Sequence, residues 1–599
     1  MAARAKERTS AKRRTDSSGQ KAEWPHTQQA ANRTAGRATN VEYLQRACEA
    51  LREGFSSKEQ EELFFCNVLK EVEGSEIPLS RDPVASRVLE QFLRVGPASC
   101  IEALIGPLCR AAPTILCHCC VARVLETGLQ QLPRLLRSET DLHQNLVELV
   151  VDLVNTVTPV ISEFARDMYG SFVLRILLQL LSQFFVGTAV AYNYNRDAEK
   201  KTINKQEDHW DVEDFPLPER FPVLLKLMVE QGVYPNILIF VEEEAASHVL
   251  QTALLVLHAR NASLCSALCG VLCNALGAGK QESSALLERF KDRTSSHVIE
   301  RLIEVADNKQ LKNLYNHHMQ GNVPALALHP VANYTIQRFI GKCLAKQFCK
   351  LFKELVPWLE SVLAQGHMGI VTSLAEAAVR LQKKQDKLLE ALLKIFHCDV
   401  EARQSCALQL FASMFTYEIY FGLGEGNEDL PSEKQQMLHE SAGHSVTYHG
   451  SMLLQNLMRF QDPALIVNGL LSLKPSPLLS LSCSQFGSRV VDVFFKSPTV
   501  SSQFHEEFFA ILKDRLFSMA CTRYGSRVID GIWTSLSLPQ KEAVAQELAM
   551  KHSELCQDQF GRHVERNCAL GHFLRRRGEW QEAQAQHSRK RRMLADFLD

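Results

Sequence analysis

A six-residue pattern that returns along most of this 599-residue chain constrains its fold more than any other feature. The pattern is a small residue, Ser or a substitute, then Arg, His or Tyr, then two aliphatic residues, then an acid or Gln. Most intervals between copies are 36–38 residues, and two, of 76 and 81 residues, carry a larger excess. The copies are ASRVLE at 85–90, VARVLE at 121–126, GSFVLR at 170–175, ASHVLQ at 246–251, SSHVIE at 295–300, ANYTIQ at 332–337, a weak copy GIVTSL at 369–374, GSMLLQ at 450–455, GSRVVD at 487–492, GSRVID at 525–530 and GRHVER at 561–566. Such a period predicts a stack of small, similar units.

Each copy is expected to lie in a helix. Around the copy at 525–530, the apolar residues Val528, Ile529, Ile532 and Trp533 fall at i, i+1, i+4 and i+5, which is one buried stripe of a helix. A second apolar helix precedes each copy. Two or three helices cannot bury a core alone, so neighbouring units must stack. The sequence therefore predicts an all-α superhelical solenoid of about eleven repeats, and the low Gly and Pro content argues against an all-β fold.

The polar positions of the pattern indicate a binding surface. In the 525 copy, Ser526 and Asp530 are four residues apart and share one helix face, while Arg527 lies on the flank of that face. Stacked helices would align such trios into a ladder. Hydrogen-bonding pairs with a planar group beside each pair suit RNA base edges with stacking between them.

Over about residues 80–570 the chain resembles the Pumilio (PUF) repeat family, on motifs such as YGSRVI and QFGSRVV. The resemblance implies a right-handed superhelix, curved or U-shaped, in which two edge residues contact a base and the flank residue stacks. Asn333, Tyr334 and Gln337 look like a uracil-recognising trio, and two other trios look guanine-recognising. The RNA contacts predicted in this way are Ser86, Arg87, Glu90, Arg123, Glu126, Ser171, Phe172, Ser247, His248, Gln251, Ser296, His297, Glu300, Asn333, Tyr334, Gln337, Ser451, Gln455, Ser488, Arg489, Asp492, Ser526, Arg527, Asp530, Arg562 and His563.

Several copies depart from the family pattern. The chain has about eleven copies where a typical member has eight, Ala122 lacks a hydroxyl, and Ile370 cannot form a hydrogen bond. The trios at 171–175 and 562–566 match no standard base, and Asp492 and Asp530 replace the usual Glu. We therefore expect loose recognition of RNA rather than base-by-base recognition. These features resemble the nucleolar branch of the family, which implies binding to pre-rRNA of the small-subunit precursor, a role in 18S rRNA maturation and a location in the nucleus and nucleolus.

Charge is unevenly distributed along the chain. Residues 1–40 hold nine basic and three acidic residues, and residues 571–599 hold seven and four, although the net charge of the whole chain is −1. The body between these ends is therefore acidic, and backbone electrostatics cannot hold RNA except in patches. Basic clusters such as AKERTSAKRR (5–14) and RKRR (589–592) are typical of nuclear localisation or nucleic-acid contact.

These observations predict a domain order. A disordered basic tail (1–40) precedes repeats 1–3 (41–186) and a polar insertion loop (187–219). Repeats 4–7 with a possible degenerate repeat around 404–414 follow (220–414), then an acidic, Gly-containing loop (415–431), repeats 8–11 (432–570) and a basic C-terminal tail (571–599).

Sequence motifs give no support to catalysis, a cofactor, a metal or a small-molecule substrate. GLGEG (422–426) lacks the Lys-Ser/Thr of a phosphate-binding loop, and CHCC (117–120) has no second ligand pair of the kind that zinc needs. The 18 cysteines are expected to be reduced intracellular thiols, because no apolar signal segment opens the chain. No membrane span is expected, since the most apolar candidate (263–279) is short.

A protein-interaction scaffold of the armadillo or HEAT kind is the alternative function. The acidic body and the off-pattern trios favour it, whereas Ser at the edge position of seven copies favours RNA. Both can hold together, with preribosomal proteins bound elsewhere on the solenoid.

Overall fold

A computed structural model describes residues 41–136, 141–185, 218–277, 283–423, 446–533 and 536–595. These residues form helices and turns and no strand, as the sequence predicts. The tail at 1–40, almost all of the predicted polar insertion at 187–219 and residues 424–431 of the acidic loop lie outside the described residues. The described part of that predicted loop contains a short helix, Tyr417–Phe421.

The repeating unit has three helices. In the last repeat these are an outer helix, Leu538–Ala549, a short helix, His552–Gln557, and the helix that carries the six-residue motif, Gly561–Cys568. We number the motif helices α1 to α11. They are Ala85–Val95, Cys119–Leu135, Met168–Ser182, Glu244–Arg260, Arg293–Val305, Ala332–Lys342, Met368–Leu381, Tyr448–Leu457, Gly487–Lys496, Gly525–Trp533 and Gly561–Cys568.

The other helices are outer and short helices, linkers between them and a C-terminal pair. The α-helices among them are 41–53, Lys58–Val72, Glu76–Arg81, Ala98–Arg110, Ala112–Ile115, Asp141–Val157, Ile161–Arg166, Arg220–Leu227, Ile237–Glu242, Ala262–Ala275, Ser283–Lys291, Asn308–Leu314, Val323–Leu328, Ala345–Leu355, Leu359–Ala364, Gln385–Ile395, Glu401–Gln404, Ala407–Ser413, Tyr417–Phe421, Ala464–Leu471, Pro475–Ser482, Ser502–Leu512, Leu516–Ala520, Leu538–Ala549, His552–Gln557, Leu570–Arg575 and Arg577–Ala595. Short 3₁₀ segments (Thr158–Val160, Tyr234–Asn236 and Val356–Trp358) and π segments (Met228–Val233 and Tyr315–Met319) join some of them.

The first motif residue is small because the motif helix begins against its own short helix. A Cβ atom added to Gly525 would lie 2.4 Å from the carbonyl oxygen of Met519, and one added to Gly487 would lie 2.3 Å from that of Leu481. Three residues earlier, a polar side chain accepts the N–H of the first motif residue in most repeats and so caps the helix. These caps are Asp82, Asp167, Asp292, His329, Thr447, Ser484, Thr522 and Asp558.

The chain divides into two compact units, Met1–Gly232 and Val233–Asp599. In the first unit, α1 packs on α2 and α2 on α3. In the second unit, each motif helix from α4 to α11 packs on the next. Helix Arg220–Leu227 packs on Asp141–Val157 and α3, as the outer helix Ala98–Arg110 of the second repeat packs on Lys58–Val72 and α1.

The prediction of a degenerate repeat around 404–414 is wrong. Motif helices α7 and α8 pack directly on each other, which leaves no place for another motif helix between them. Helix Ala407–Ser413 instead packs on α8, as the short helix Leu516–Ala520 packs on α10. The long 369–450 interval is therefore one repeat with an insertion between its short helix and its motif helix.

The C-terminal segment is more than a basic tail. Helices Leu570–Arg575 and Arg577–Ala595 extend past the last repeat, and the second packs on the outer helix Leu538–Ala549. Trp580 is fully buried, and its Nε1 donates a hydrogen bond of 2.9 Å to the Cys568 carbonyl. This indole anchors the segment to α11 and covers the core at the end of the array.

Two helical runs, Gln144–Arg166 and Arg220–Glu242, are long and apolar enough to span a membrane by length and composition, and the bent pair Ala464–Leu471 and Pro475–Ser482 passes the same test. The prediction that the chain has no stretch of this length and composition is therefore wrong. The prediction considered only uncharged stretches, and the first run contains Glu148 and Asp152. About half of each long run is buried inside the protein, as expected for helices packed in a solenoid.

Candidate nucleic-acid interface

The polar motif positions lie on one side of the motif helices, which we call the motif-helix surface. It comprises the second and sixth motif residues, the edge positions, and the third residue, the flank position. The alternation follows from helix geometry, because the fourth and fifth motif residues, such as Val528 and Ile529, are buried in the core.

The flank residues are the outermost side chains of this surface. Tyr334 is 57% exposed, and the side chain of His297 is 65% exposed. The other exposed flank residues are Arg87, Arg123, His248, Arg489, Arg527 and His563, and Phe172 and Met452 are half-buried. Arg87, Arg489 and Arg527 form no ion pair with any described residue. These three guanidinium groups and the Tyr334 ring are therefore open to a stacking partner.

The second-position serines are buried, which the sequence did not predict. Ser171, Ser247, Ser296, Ser488 and Ser526 each donate a hydrogen bond of 2.7–3.3 Å to the backbone carbonyl three residues earlier. Ser451 donates instead to the Phe486 carbonyl of the next repeat at 2.7 Å, and the Ser86 hydroxyl lies beside the Cys120 thiol. These hydroxyls lie beneath the flank residues. In six of the seven serines the hydroxyl already donates a hydrogen bond to a backbone carbonyl.

The predicted uracil trio is partly bonded within its own helix. The Asn333 amide nitrogen donates to the His329 and Pro330 carbonyls at 3.1 and 2.8 Å. Its oxygen accepts from Gln337 Nε2 at 2.9 Å. Asn333 is thus a buried positioning residue, and it holds the half-buried Gln337 beside the exposed Tyr334 ring.

The sixth-position acids link neighbouring repeats. Glu90 of α1 accepts a 2.5 Å bond from Arg123, the flank residue of α2. Glu300 lies 3.5 Å from Arg338 of α6 and 3.6 Å from His297, and its hydrogen bond raises the pKa of His297. The flank arginine of α2 therefore pairs with an acid of the neighbouring repeat.

Three of these acids sit in a low-dielectric setting. Burial raises the pKa of Glu126, which the Arg175 guanidinium opposes. Burial also raises the pKa of Asp492 and of Asp530. One carboxylate oxygen of each Asp is buried without a hydrogen-bond partner among the described residues, while Asn567 bonds to Asp530. Unsatisfied buried acceptors of this kind suit a donor from a ligand.

The off-pattern repeats differ from one another in structure. In α3 the Arg175 guanidinium stacks on Phe172 of the same trio, 4.7 Å from the ring centroid. In α7 both Ile370 and its flank neighbour Val371 are fully buried, so that helix presents no polar trio in the predicted register. In α11 Arg562, His563 and Arg566 are all exposed, which makes a cationic patch at the end of the array.

The remaining amide edge residues are less constrained. Gln455 is half-buried and donates to Ser451 Oγ at 3.0 Å, and Gln251 is half-buried beside the exposed His248. Sequence reasoning missed Arg338 and Asn567, each one residue after a sixth motif position, and both reach the acid of the preceding motif helix. A polar residue directly after the six-residue motif is the sequence feature that could have identified both.

Two groups of metal-ligand side chains occur among the described residues, His118–Cys119–Cys120 and His552–Cys556–Glu565. The first lies within the CHCC run, and the thiols of Cys119 and Cys120 are 3.7 Å apart at the start of α2. Neither group includes a second, third or sixth motif residue, although the Cys120 thiol of the first group lies beside Ser86.

Known proteins share this architecture. The family model of the NOP9-like PUF repeat domain matches residues 74–563. Nucleolar protein 9 of Homo sapiens is 35% identical over 584 residues, which cover 93% of this chain and 90% of the human protein. Pumilio homolog 23 of Arabidopsis thaliana is 22% identical, covering 86% of this chain and 69% of the plant protein. A solved structure described as APUM23-GGAAUUGACGG is 20% identical with a TM-score of 0.75, covering 91% of this chain and 99% of that one. The length of the family match and the identity to the human protein show that the chain belongs to the NOP9-like PUF repeat family.

Proposed function

We propose that this chain is a nucleolar RNA-binding factor that holds pre-rRNA of the small-subunit precursor on its motif-helix surface and supports 18S rRNA processing. The bases stack on the flank residues, and the sixth-position acids and amides contact base edges. The protein performs no chemistry in this role; it shields a segment of RNA and so times its processing by enzymes.

The flank series is the observation that carries the proposal. Exposed Arg, His or Tyr side chains occupy the flank position of α1, α2, α4, α5, α6, α9, α10 and α11, and an acid or amide occupies the sixth position of all of these except α11. Within each unit the motif helices pack side by side. Base stacking on such side chains contributes roughly 1–3 kcal/mol per base. A few stacked bases therefore suffice for tight binding, even though the body of the chain is acidic.

The relatives support the same assignment. APUM23 is described together with the sequence GGAAUUGACGG, whose uracils are those of RNA, and the human relative is named for the nucleolus. Assignment to the small subunit and to 18S rRNA rests on the family resemblance.

Protein partners form a second part of the proposal. Large apolar side chains are exposed within residues 400–423, among them Val400, Ile419 and Leu423. They lie off the motif helices and beside the insertion of the eighth repeat. We propose that this region contacts preribosomal proteins while RNA occupies the motif-helix surface.

The test combines in-cell crosslinking with a targeted variant. Tyr334→Ala with Gln337→Ala removes a stacking ring and an amide edge but keeps Asn333, whose amide bonds the backbone. RNA crosslinked to the full-length wild type should map to the small-subunit pre-rRNA, and the double variant should lose crosslinks at the nucleotides nearest α6.

Lys350→Ala with Trp358→Ala is a matched control, because both residues are exposed and lie off the motif helices in the same unit. If the double variant at 334 and 337 kept the wild-type crosslinks at fixed salt, the motif-helix surface would not be the RNA site. Crosslinks restricted to RNA other than pre-rRNA would refute the assigned substrate.

A further inference from the structure

The contact between the short helix and the motif helix changes character in the last repeat. In the repeat of α10, Leu516 lies nine residues before the first motif residue, and Ile529 is the fifth motif residue; both are buried. The repeat of α9 has the buried pair Leu478 and Val491 at the same positions. The last repeat has His552 and Glu565 there.

The fifth motif position is aliphatic in every other copy except the weak one at 369–374. At the position of His552 most other repeats have an apolar residue, such as Ile161, Ile237, Val323 and Leu478, and the repeats of α1 and α7 have Glu76 and Glu360. Apart from the weak copy, only the last repeat has polar residues at both positions, and its two side chains lie against each other.

Cys556 completes a triad with these two residues. It lies one turn after His552 on the short helix, and its Sγ atom is 3.6 Å from His552 Nε2. His552 Nε2 is in turn 3.4 Å from Glu565 Oε1. The three ligand atoms all lie within 4.8 Å of one another.

Two of these separations equal those of a tetrahedral zinc site, whereas the Cys556 Sγ atom also lies 3.9 Å from His552 Nδ1 and would have to rotate toward Nε2 to share an ion. With Zn–N and Zn–O distances near 2.1 Å and Zn–S near 2.3 Å, tetrahedral angles place nitrogen and oxygen roughly 3.4 Å apart and sulfur and nitrogen roughly 3.6 Å apart. The Gly571 N–H donates to Glu565 Oε1 at 3.2 Å and fixes the carboxylate, as outer groups commonly do around metal ligands.

An ordinary capping repeat would also be polar, and a partly exposed His–Glu pair alone contributes little stability. That explanation leaves the thiol unaccounted for. It also does not explain why the polar residues occupy two facing core positions, when Trp580 and the C-terminal helices already cover this end of the array.

We infer that His552, Cys556 and Glu565 bind a zinc ion, with water as the fourth ligand. On binding, Cys556 releases its thiol proton to solvent and coordinates as thiolate, while His552 coordinates through neutral Nε2. The ion pins the short helix to α11, the helix that carries the cationic Arg562, His563 and Arg566 patch. This site is independent of the RNA proposal, since neither requires the other.

The test uses the full chain, purified under reducing conditions, stripped with a chelator and reloaded with Zn²⁺ or Co²⁺. Metal content is measured by mass spectrometry, and Co²⁺ reports thiolate ligation through its charge-transfer absorption. Wild type should bind one more ion per chain than Cys556→Ala and than His552→Leu with Glu565→Ile. The latter variant introduces an apolar pair like the buried Leu516 and Ile529 at the same positions in the repeat of α10, so circular dichroism should show a retained fold.

Cys66→Ala is the control, because Cys66 is an exposed thiol outside both ligand groups. Zinc held elsewhere, including at His118–Cys119–Cys120, forms a baseline common to all proteins. Equal metal content in wild type and both site variants would overturn the inference, as would a loss in Cys66→Ala equal to that in Cys556→Ala, or a cobalt spectrum without a thiolate band in wild type.

Discussion

Replacement of Tyr334 by Ala should weaken RNA binding and leave the stability of the fold nearly unchanged. Its ring is 57% exposed, whereas the adjacent Thr335 and Ile336 are fully buried and carry the packing of α6. Tyr334→Ala should therefore change the free energy of unfolding by no more than about 0.5 kcal/mol, as for surface substitutions generally. If a base stacks on the ring, the same change should cost about 1–3 kcal/mol of binding free energy, or roughly 5- to 150-fold in Kd.

Fluorescence anisotropy with a labelled pre-rRNA fragment at fixed salt measures this loss, and urea unfolding measures stability. Tyr334→Phe keeps the ring and should bind nearly as wild type. Trp358→Ala removes a 46% exposed ring that lies off the motif helices and should leave Kd unchanged. The reasoning is refuted if Tyr334→Ala binds as wild type, or if Trp358→Ala weakens binding to the same extent.

Three further outcomes follow from the geometry. Arg123→Ala leaves the Glu90 carboxylate, which is 8% exposed, without its ion-pair partner, so the free energy of unfolding measured in urea should fall by about 1–2 kcal/mol. Adding Glu90→Gln to this variant should recover part of the loss. If the effects of the two substitutions on the free energy of unfolding were simply additive, the ion pair would be contradicted. Gly525→Ala drives a Cβ to 2.4 Å from the short-helix carbonyl and should cost about 1–3 kcal/mol, whereas Gly341→Ala, with open space around it in α6, should be neutral or stabilising in the same unfolding assay. Burial raises the pKa of Asp492, so the folded protein keeps this proton to a higher pH than the unfolded chain does. The free energy of unfolding should therefore fall as pH rises above about 4 and through the folded pKa. Asp492→Asn should remove this contribution in urea unfolding at a series of pH values, and an unchanged pH dependence would contradict the raised pKa.

The repeat period and helical periodicity sufficed to predict the solenoid, the motif helices and the flank series. Spacing of four residues correctly placed Ser526 and Asp530 on one face. It could not give their depth, because neighbouring repeats and the backbone decide which part of a face stays open. Ser526 is 5% exposed and bonds its own helix, while Arg527 beside it is exposed.

Tertiary packing also decided what the sequence left ambiguous. The 404–414 segment has an apolar pattern that is compatible with either a short helix or a degenerate repeat. Only the direct contact of α7 with α8 distinguishes these two interpretations. His552 and Glu565 are 13 residues apart, and each is unremarkable alone in the sequence. Their meaning comes from the facing positions that the repeat alignment and the fold assign to them.

Protein–RNA crosslinking followed by peptide mapping tests the central claim most directly. The full chain is irradiated with a bound pre-rRNA fragment, and the modified residues are identified by mass spectrometry. The account predicts adducts at flank positions of the motif helices, foremost Phe172, His248, His297 and Tyr334. Adducts restricted to the outer helices or to the basic segments at 1–40 and 589–592 would contradict it.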